Sequence, residues 1–402
     1  MSPQSPTPRP ESRLWDATFG WFLALFFLWN VGMGAFSPLL PQVMDGLHLS
    51  FAAAGLLGTA FAITRFLVDI PAGILADRLG MSWLLHGAAA LLLGGSVLAA
   101  AAGSFEAMAI ARGLTGIGSG LANIISVLYL MRRGAAAHRS RRANLYELAV
   151  IAGMAVSADA AGAIATAWDW RTSFGLAAGM LGGVWLVGAF GVLPKVKGTL
   201  AEAPTATASG GRSSAVTSRG AILAIFVASF AQAFAWGGGI STLLPLYGGS
   251  ALQLSPAVIG RAMAVAFWIE VCLLYPVGWA ADAWGKARVM IPGFVAMLLG
   301  TLLVPWATGP ASYGVAFVIV AAGMSVWMMV PALMAEHLAG GFGGKAAGRY
   351  RLVTDFGFIV GPATVGWLVG QFGFAAGAAA IALVLVVSIL LSLCFLRNPR
   401  RA

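Results

Sequence analysis

Charge is scarce in this chain: only 9% of its 402 residues are Asp, Glu, Lys or Arg, and the 14 acids are outnumbered by 24 bases. Soluble domains carry about 25% charged residues, so an ordinary water-soluble globule is excluded. Cysteine is nearly absent, and Cys272 and Cys394 lie far apart inside apolar runs, which leaves no disulfide framework. The four histidines, His48, His86, His138 and His337, are scattered at the ends of apolar runs without metal-ligand spacing. No Ser-His-Asp or Cys-His set can be assembled either. We therefore expect no metal, no cofactor and no enzymatic chemistry. Gly340-Gly-Phe-Gly-Gly-Lys345 is not a phosphate loop, because Ala339 stands at its first Gly position and Ala346 at its final Ser/Thr position. Residues 1–14 have no apolar core of the kind a signal peptide needs and read as a polar cytoplasmic tail.

What the chain does contain is hydrophobic residues, 59% of the total. They fall into twelve runs, at 15–43, 51–76, 82–102, 105–131, 139–166, 171–193, 220–248, 256–281, 286–306, 311–338, 346–370 and 374–396. Each is close to the roughly 20 residues that carry a helix across about 30 Å of hydrocarbon, and each is too long for a barrel strand. The bases are distributed unevenly. All but four of the 24 lie in the tails or in one alternate set of loops, the exceptions being Arg65, Arg112, Arg171 and Arg261. Lys and Arg next to a span stay on the cytoplasmic side, so the expected topology is a multispanning inner-membrane protein with both ends inside. The net charge of +10 follows from that topology and from contact with an anionic lipid leaflet, and no nucleic-acid partner is expected.

The polar stretch 195–219 divides the spans six and six. We expect a tail at 1–14, one six-helix bundle at 15–194, a cytoplasmic linker at 195–219, a second bundle at 220–396 and a tail at 397–402. The halves repeat. Leu47–Gly80 aligns without gaps onto Leu252–Gly285, superposing Ser50 on Ser255, Gly55 on Gly260, Pro71 on Pro276, Gly73 on Gly278, Asp77 on Asp282 and Gly80 on Gly285. Repeated bundles of membrane helices with a solute site between them are the usual construction of secondary transporters. Gly116-Ile-Gly118-Ser-Gly120 sits inside a span, where small residues let helices pack closely.

The segment Gly73-Ile-Leu-Ala-Asp77-Arg78-Leu-Gly80, its counterpart Gly278-Trp-Ala-Ala-Asp282-Ala-Trp-Gly285-Lys286, and Arg112-Gly-Leu-Thr-Gly-Ile-Gly in the fourth run resemble motifs of the major facilitator superfamily. The resemblance covers nearly the whole chain. It implies an all-α membrane fold of 12 transmembrane helices in two pseudo-symmetric six-helix bundles. It also implies that Gly73, Asp77, Arg78, Gly80, Gly278, Asp282 and Gly285 form conformational latches at the cytoplasmic face. Met81-Ser82 replace two basic residues usual in that loop, and the fifth span has no Gly-Pro motif of the antiporter type, Asp159 standing near the Pro position.

Ionised side chains inside a span need a partner, a wet cavity or neutralisation, since each costs about 2.5–3.5 kcal/mol on insertion scales. Arg65 and Asp69 lie four apart and can pair along one helix. Spans two and eleven face each other in the resembling family, as do spans five and eight. That implies Arg65 opposite Asp355 as a second way to pair it, and Glu147 opposite Glu270, two acids. Like charges sharing a site favour keeping one of them protonated, so Glu147 and Glu270 are candidates for carrying a proton; the other reading separates them by depth. Asp159 is either proton-linked or hydrated at a cavity mouth.

Arg112, Gly116, Ser119 and Asn123 share one face of span four, and Asn30, Gly34, Ser37 and Pro41 repeat that spacing on span one. Spans one, four, seven and ten line the cavity in the family. The expected lining is thus Arg112, Asn30, Asn123, Gln232, Trp236 and Trp327, against the readings that the tryptophans only pack and that Arg112 pairs structurally. An Arg among aromatic walls suits a planar organic anion. The sequence points to a monomeric, proton-coupled secondary transporter of a small organic solute, with export slightly favoured. Uptake of an organic acid or vitamin-like compound, or a non-transporting sensor or scaffold, are the alternatives.

Overall fold

A computed structural model of the chain describes residue 15 and residues 17–132, 139–192, 219–337 and 344–396, with the side chains of 69–70 and 72–81 among those outside the description. Twelve helices are long and apolar enough to cross a membrane. They are α1 Ala17–Gly46, α2 Phe51–Val68, α3 Ser82–Ala101, α4 Phe105–Ser126, α5 Arg141–Ala167, α6 Trp170–Phe190, α7 Arg219–Ala251, α8 Pro256–Trp284, α9 Lys286–Trp306, α10 Pro310–His337, α11 Gly348–Phe372 and α12 Phe374–Phe395. The tails and the stretch read as a linker fall outside the described residues, apart from Arg219. Asp69, Gly73, Asp77, Arg78 and Gly80 have no described side chains.

The structure carries the internal repeat in its backbone. Ser50 caps α2 by accepting from the Ala53 N–H at 3.2 Å, and Ser255 with Pro256 opens α8. The two non-glycine residues with positive φ among those described are His48 at 53° and Gln253 at 52°. They superpose in the repeat register, so each half turns into its second span through the same left-handed residue. One expectation differs. Helical hydrogen bonding runs unbroken over Phe51–Ala101, through the turn expected between α2 and α3.

Three helices that face the centre of the molecule are interrupted. α1 breaks between Met33 and Phe36, α10 between Met324 and Met329, and α7 is wound as π-helix over Ala235–Leu243 and Tyr247–Ala251. A proline lies close behind each irregularity. Pro38, Pro245 and Pro331 lack the N–H that would bond the carbonyls four residues back, at Gly34, Ser241 and Trp327. Glycine has a different role in α4, where Gly116 faces the Phe61 carbonyl and Thr64 hydroxyl of α2 so closely that a Cβ would collide with both. That close approach is the packing reading of the Gly-rich run.

α6 begins at a side-chain cap. Asp169 accepts from the Thr172 N–H at 2.6 Å, and the Thr172 hydroxyl, followed by that N–H, holds its carboxyl below the usual aspartate range. Asp169→Ala should cost about 1 kcal/mol, read as a lower melting temperature. Because the folded-state value is depressed, this contribution is present above the ordinary aspartate value and is lost as pH falls through the folded one. The wild type and Asp169→Ala should therefore converge in acid.

Candidate functional site

The two bundles enclose a cavity of about 520 Å³ walled by α1, α4, α7 and α10 and by the inner edges of α2, α5, α8 and α11. Arg112 reaches it from α4 with its guanidinium between two rings, 3.8 Å from the Phe36 centroid and 4.5 Å from that of Phe61. Its Nε is buried without a hydrogen-bond partner, and no described acid lies within ion-pair distance. Stacking on two aromatic faces stabilises a cation without neutralising it. The charge thus stays available to whatever occupies the cavity.

Asn30, Asn123, Trp236 and Trp327 also line the cavity. Asn30 Nδ2 donates to the Phe26 carbonyl at 2.8 Å. Trp236 and Trp327 both pack on Phe358, at 5.6 and 5.8 Å between centroids, so they serve as wall and packing at once. Gln232 does not belong to the lining. At its level α7 packs against α11 and α12, and the side chain is 2% exposed inside the second bundle. Of the face-sharing positions, Gly116 and Pro41 are taken up by helix contacts, Pro41 against Gly249 of α7.

Glu147 and Glu270 both line the cavity, across the α5–α8 seam, and lie within Coulombic reach of each other. Arg65 is within Coulombic reach of Glu147 too, as an attraction rather than a repulsion, and stands 5.8 Å from the Phe358 ring centroid. The expected Arg65–Asp355 ion pair is not formed among the described residues. Asp355 instead accepts from Arg351 Nε at 3.2 Å, one turn earlier on α11, where the pair needs no movement of one bundle against the other. Arg351 falls among the loop cations of the charge count, yet its i, i+4 spacing to Asp355 is visible in the sequence. With the Asn123 amide oxygen turned toward it, Arg351 also donates Nη2 and Nη1 to Asn123 at 2.9 and 3.0 Å, joining α11 to α4.

Asp159 is not at the cavity mouth; it is paired with Arg261 at 3.4 Å in a separate groove between α5 and α8. Of the second latch segment, Asp282 is exposed and Gly278 has open space where a Cβ would go. Gly285 ends α8 at φ 97°, a conformation that favours glycine. Beside it Lys286 donates to Glu336, tying α9 to α10. Beside the starts of α2 and α8 the bundles meet backbone to backbone. Gly55 meets Pro362 and Gly366, Gly162 meets Pro256 and Gly260, and Thr166 Oγ1 accepts from the Ala257 N–H at 2.9 Å. No side chains intervene at those glycines, so that end of the cavity is closed.

Comparison with known proteins is consistent with this architecture. The chain is similar to the L-fucose-proton symporter of Escherichia coli K12, 39% identical over 69 residues, covering 17% of this chain and 16% of that protein. It is 33% identical over 107 residues to the inner membrane transport protein YajR of the same organism, covering 26% of this chain and 23% of that one. The matches thus span under a quarter of these relatives' length. Among solved structures, the inward-open xylose transporter XylE from E. coli superposes with a TM-score of 0.73 at 17% identity, over 97% of this chain and 98% of that one, a likeness of fold. The Major Facilitator Superfamily model matches residues 20–256 and, in a second, overlapping match, 225–402. With twelve spans in two repeated bundles around one cavity, the chain belongs to the Major Facilitator Superfamily.

Proposed function

We propose that the protein is a proton-coupled secondary transporter that moves a small organic anion across the membrane by alternating access. The observation that carries this reading is Arg112, a cation with no acid at ion-pair distance among the described residues, stacked between Phe36 and Phe61 at the cavity wall. A planar carboxylate matches its fork, and the aromatic floor of Trp236, Trp327 and Phe358 suits an apolar or aromatic body. Charge balance agrees. The cavity lining holds Arg65, Arg112 and Arg351 against Glu147, Glu270 and Asp355, so one proton shared by the acid pair leaves room for one negative charge. Asp77 and Asp282 are proposed as latches at the cytoplasmic face of the bacterial inner membrane, with both termini on that side. One chain supplies every wall of the cavity, so a monomer is the proposed working unit.

A proton and an anion bound together move the same way, so this charge balance favours uptake, which similarity to a proton symporter also supports. Export, slightly favoured by the sequence, is the second reading and requires the proton and the solute to bind in turn. Thermal-shift screening of the purified protein tests the solute class, because a ligand stabilises the state it binds by mass action. Small aromatic and aliphatic carboxylates should raise the melting temperature, and their methyl esters or amides should not. Stabilisation by neutral sugars, with none by carboxylates, would replace the anion reading with a sugar one.

A further inference from the structure

A second groove, of about 310 Å³, runs between α5 and α8 and includes Asp159, Ala160, Arg261, Ala264 and Trp268. It faces away from the transport cavity. At about 100° per residue, groove positions 261, 264, 265 and 268 of α8 centre about 140° around the helix from its cavity positions 263, 267 and 270. On α5, positions 155, 156, 159 and 160 likewise fall opposite 147, 150, 151 and 154. The groove therefore opens to lipid. Arg261 lies five residues into α8, about 8 Å, and Asp159 eight residues before the end of α5, about 12 Å. Against a hydrocarbon layer of about 30 Å, that puts Arg261 at its edge and Asp159 somewhat beneath it.

The ion pair there is incomplete. Its one contact, Arg261 Nε to Asp159 Oδ1, is 3.4 Å long, and the side chains are 71% and 48% exposed. Charge-assisted bonds of this kind are usually about 2.7–2.9 Å. Both guanidinium Nη groups and the carboxylate Oδ2 have no hydrogen bond among the described residues. The groove thus presents donors and an acceptor side by side, with no net charge, above small Ala160 and Ala264 and beside Trp268. An exposed charge pair at this depth is costly unless something polar covers it.

We infer that this groove binds a zwitterionic phospholipid with a primary ammonium headgroup, the phosphate accepting from Arg261 and the ammonium donating to Asp159. An acyl chain then lies along the alanines against Trp268. Because Asp159 belongs to one bundle and Arg261 to the other, the headgroup bridges the two where they are packed shut. A net-anionic headgroup matches a neutral pair less well, and a quaternary ammonium cannot donate to the carboxylate.

The test is native mass spectrometry of the delipidated full chain titrated with dioctanoyl phosphatidylethanolamine, phosphatidylcholine or phosphatidylglycerol. The wild type should bind its first ethanolamine lipid about tenfold more tightly than either alternative, the scale of a charge-assisted bond. Asp159→Asn should erase that preference, Asp159→Glu should restore most of it, and Arg261→Gln should weaken both zwitterionic lipids. Wild-type ethanolamine binding in Asp159→Asn and Arg261→Gln would overturn the assignment, as would identical behaviour of Asp159→Asn and Asp159→Glu. If the variants instead dissolve a dimer without changing lipid binding, the groove is a contact between copies and the lipid assignment falls.

Discussion

Arg112→Lys is expected to weaken solute binding by about an order of magnitude or more, with the variant folded and its melting temperature in ligand-free buffer close to that of the wild type. Lysine keeps the charge but loses what the site is shaped for. A planar guanidinium fits the slot between Phe36 and Phe61, with centroids 3.8 and 4.5 Å away, while an ammonium is a point charge that cannot stack on both faces. The bidentate fork is lost too. Calorimetric titration with the carboxylate that stabilises the wild type most is the measurement. If Arg112→Lys binds that carboxylate normally, Arg112 is a structural cation and the organic-anion reading goes with it.

Replacing either Glu147 or Glu270 with Gln should abolish proton-driven accumulation and leave exchange intact. The two acids share a wall of the cavity within Coulombic reach of each other, with Arg65 acting on Glu147. Coupled carboxylates release protons as a pair, and Gln imitates a site that never releases its own. In proteoliposomes with a pH gradient of one unit, one proton per solute can sustain at most about tenfold accumulation. Glu147→Gln and Glu270→Gln should show none, while counterflow of labelled solute continues. Wild-type accumulation in both variants would move coupling elsewhere, with Asp69 the next residue to replace.

The spans were readable because the bilayer imposes a length, and most predicted ends lie within a few residues of those observed. The repeat was readable because Leu47–Gly80 and Leu252–Gly285 need no gaps. Cavity faces followed from helical spacing where a helix is regular, as for Arg112, Ser119 and Asn123 on α4. Helical spacing is silent where neighbours decide exposure. Gln232 has a polar side chain at a plausible position, but the packing of α11 and α12 on α7 is a tertiary fact. Asp159 occupies the outward face of α5, and no motif announces which face of a span looks inward. Phe36 and Phe61 were missed because nothing in their local sequence distinguishes them from the chain's other phenylalanines; only the fold sets them on either side of Arg112.

The prolines behind the interrupted helices have a genetic consequence. Gly34, Ser241 and Trp327 line the cavity, and each has a carbonyl deprived of its usual helical donor by Pro38, Pro245 or Pro331. Alanine scanning alters side chains and leaves those carbonyls in place, so a mutational map of the cavity would record a silent zone there. The informative alleles are at the prolines, outside that map, where an alanine supplies the missing N–H, and loss-of-transport mutations should accumulate one turn beyond the residues that face the solute.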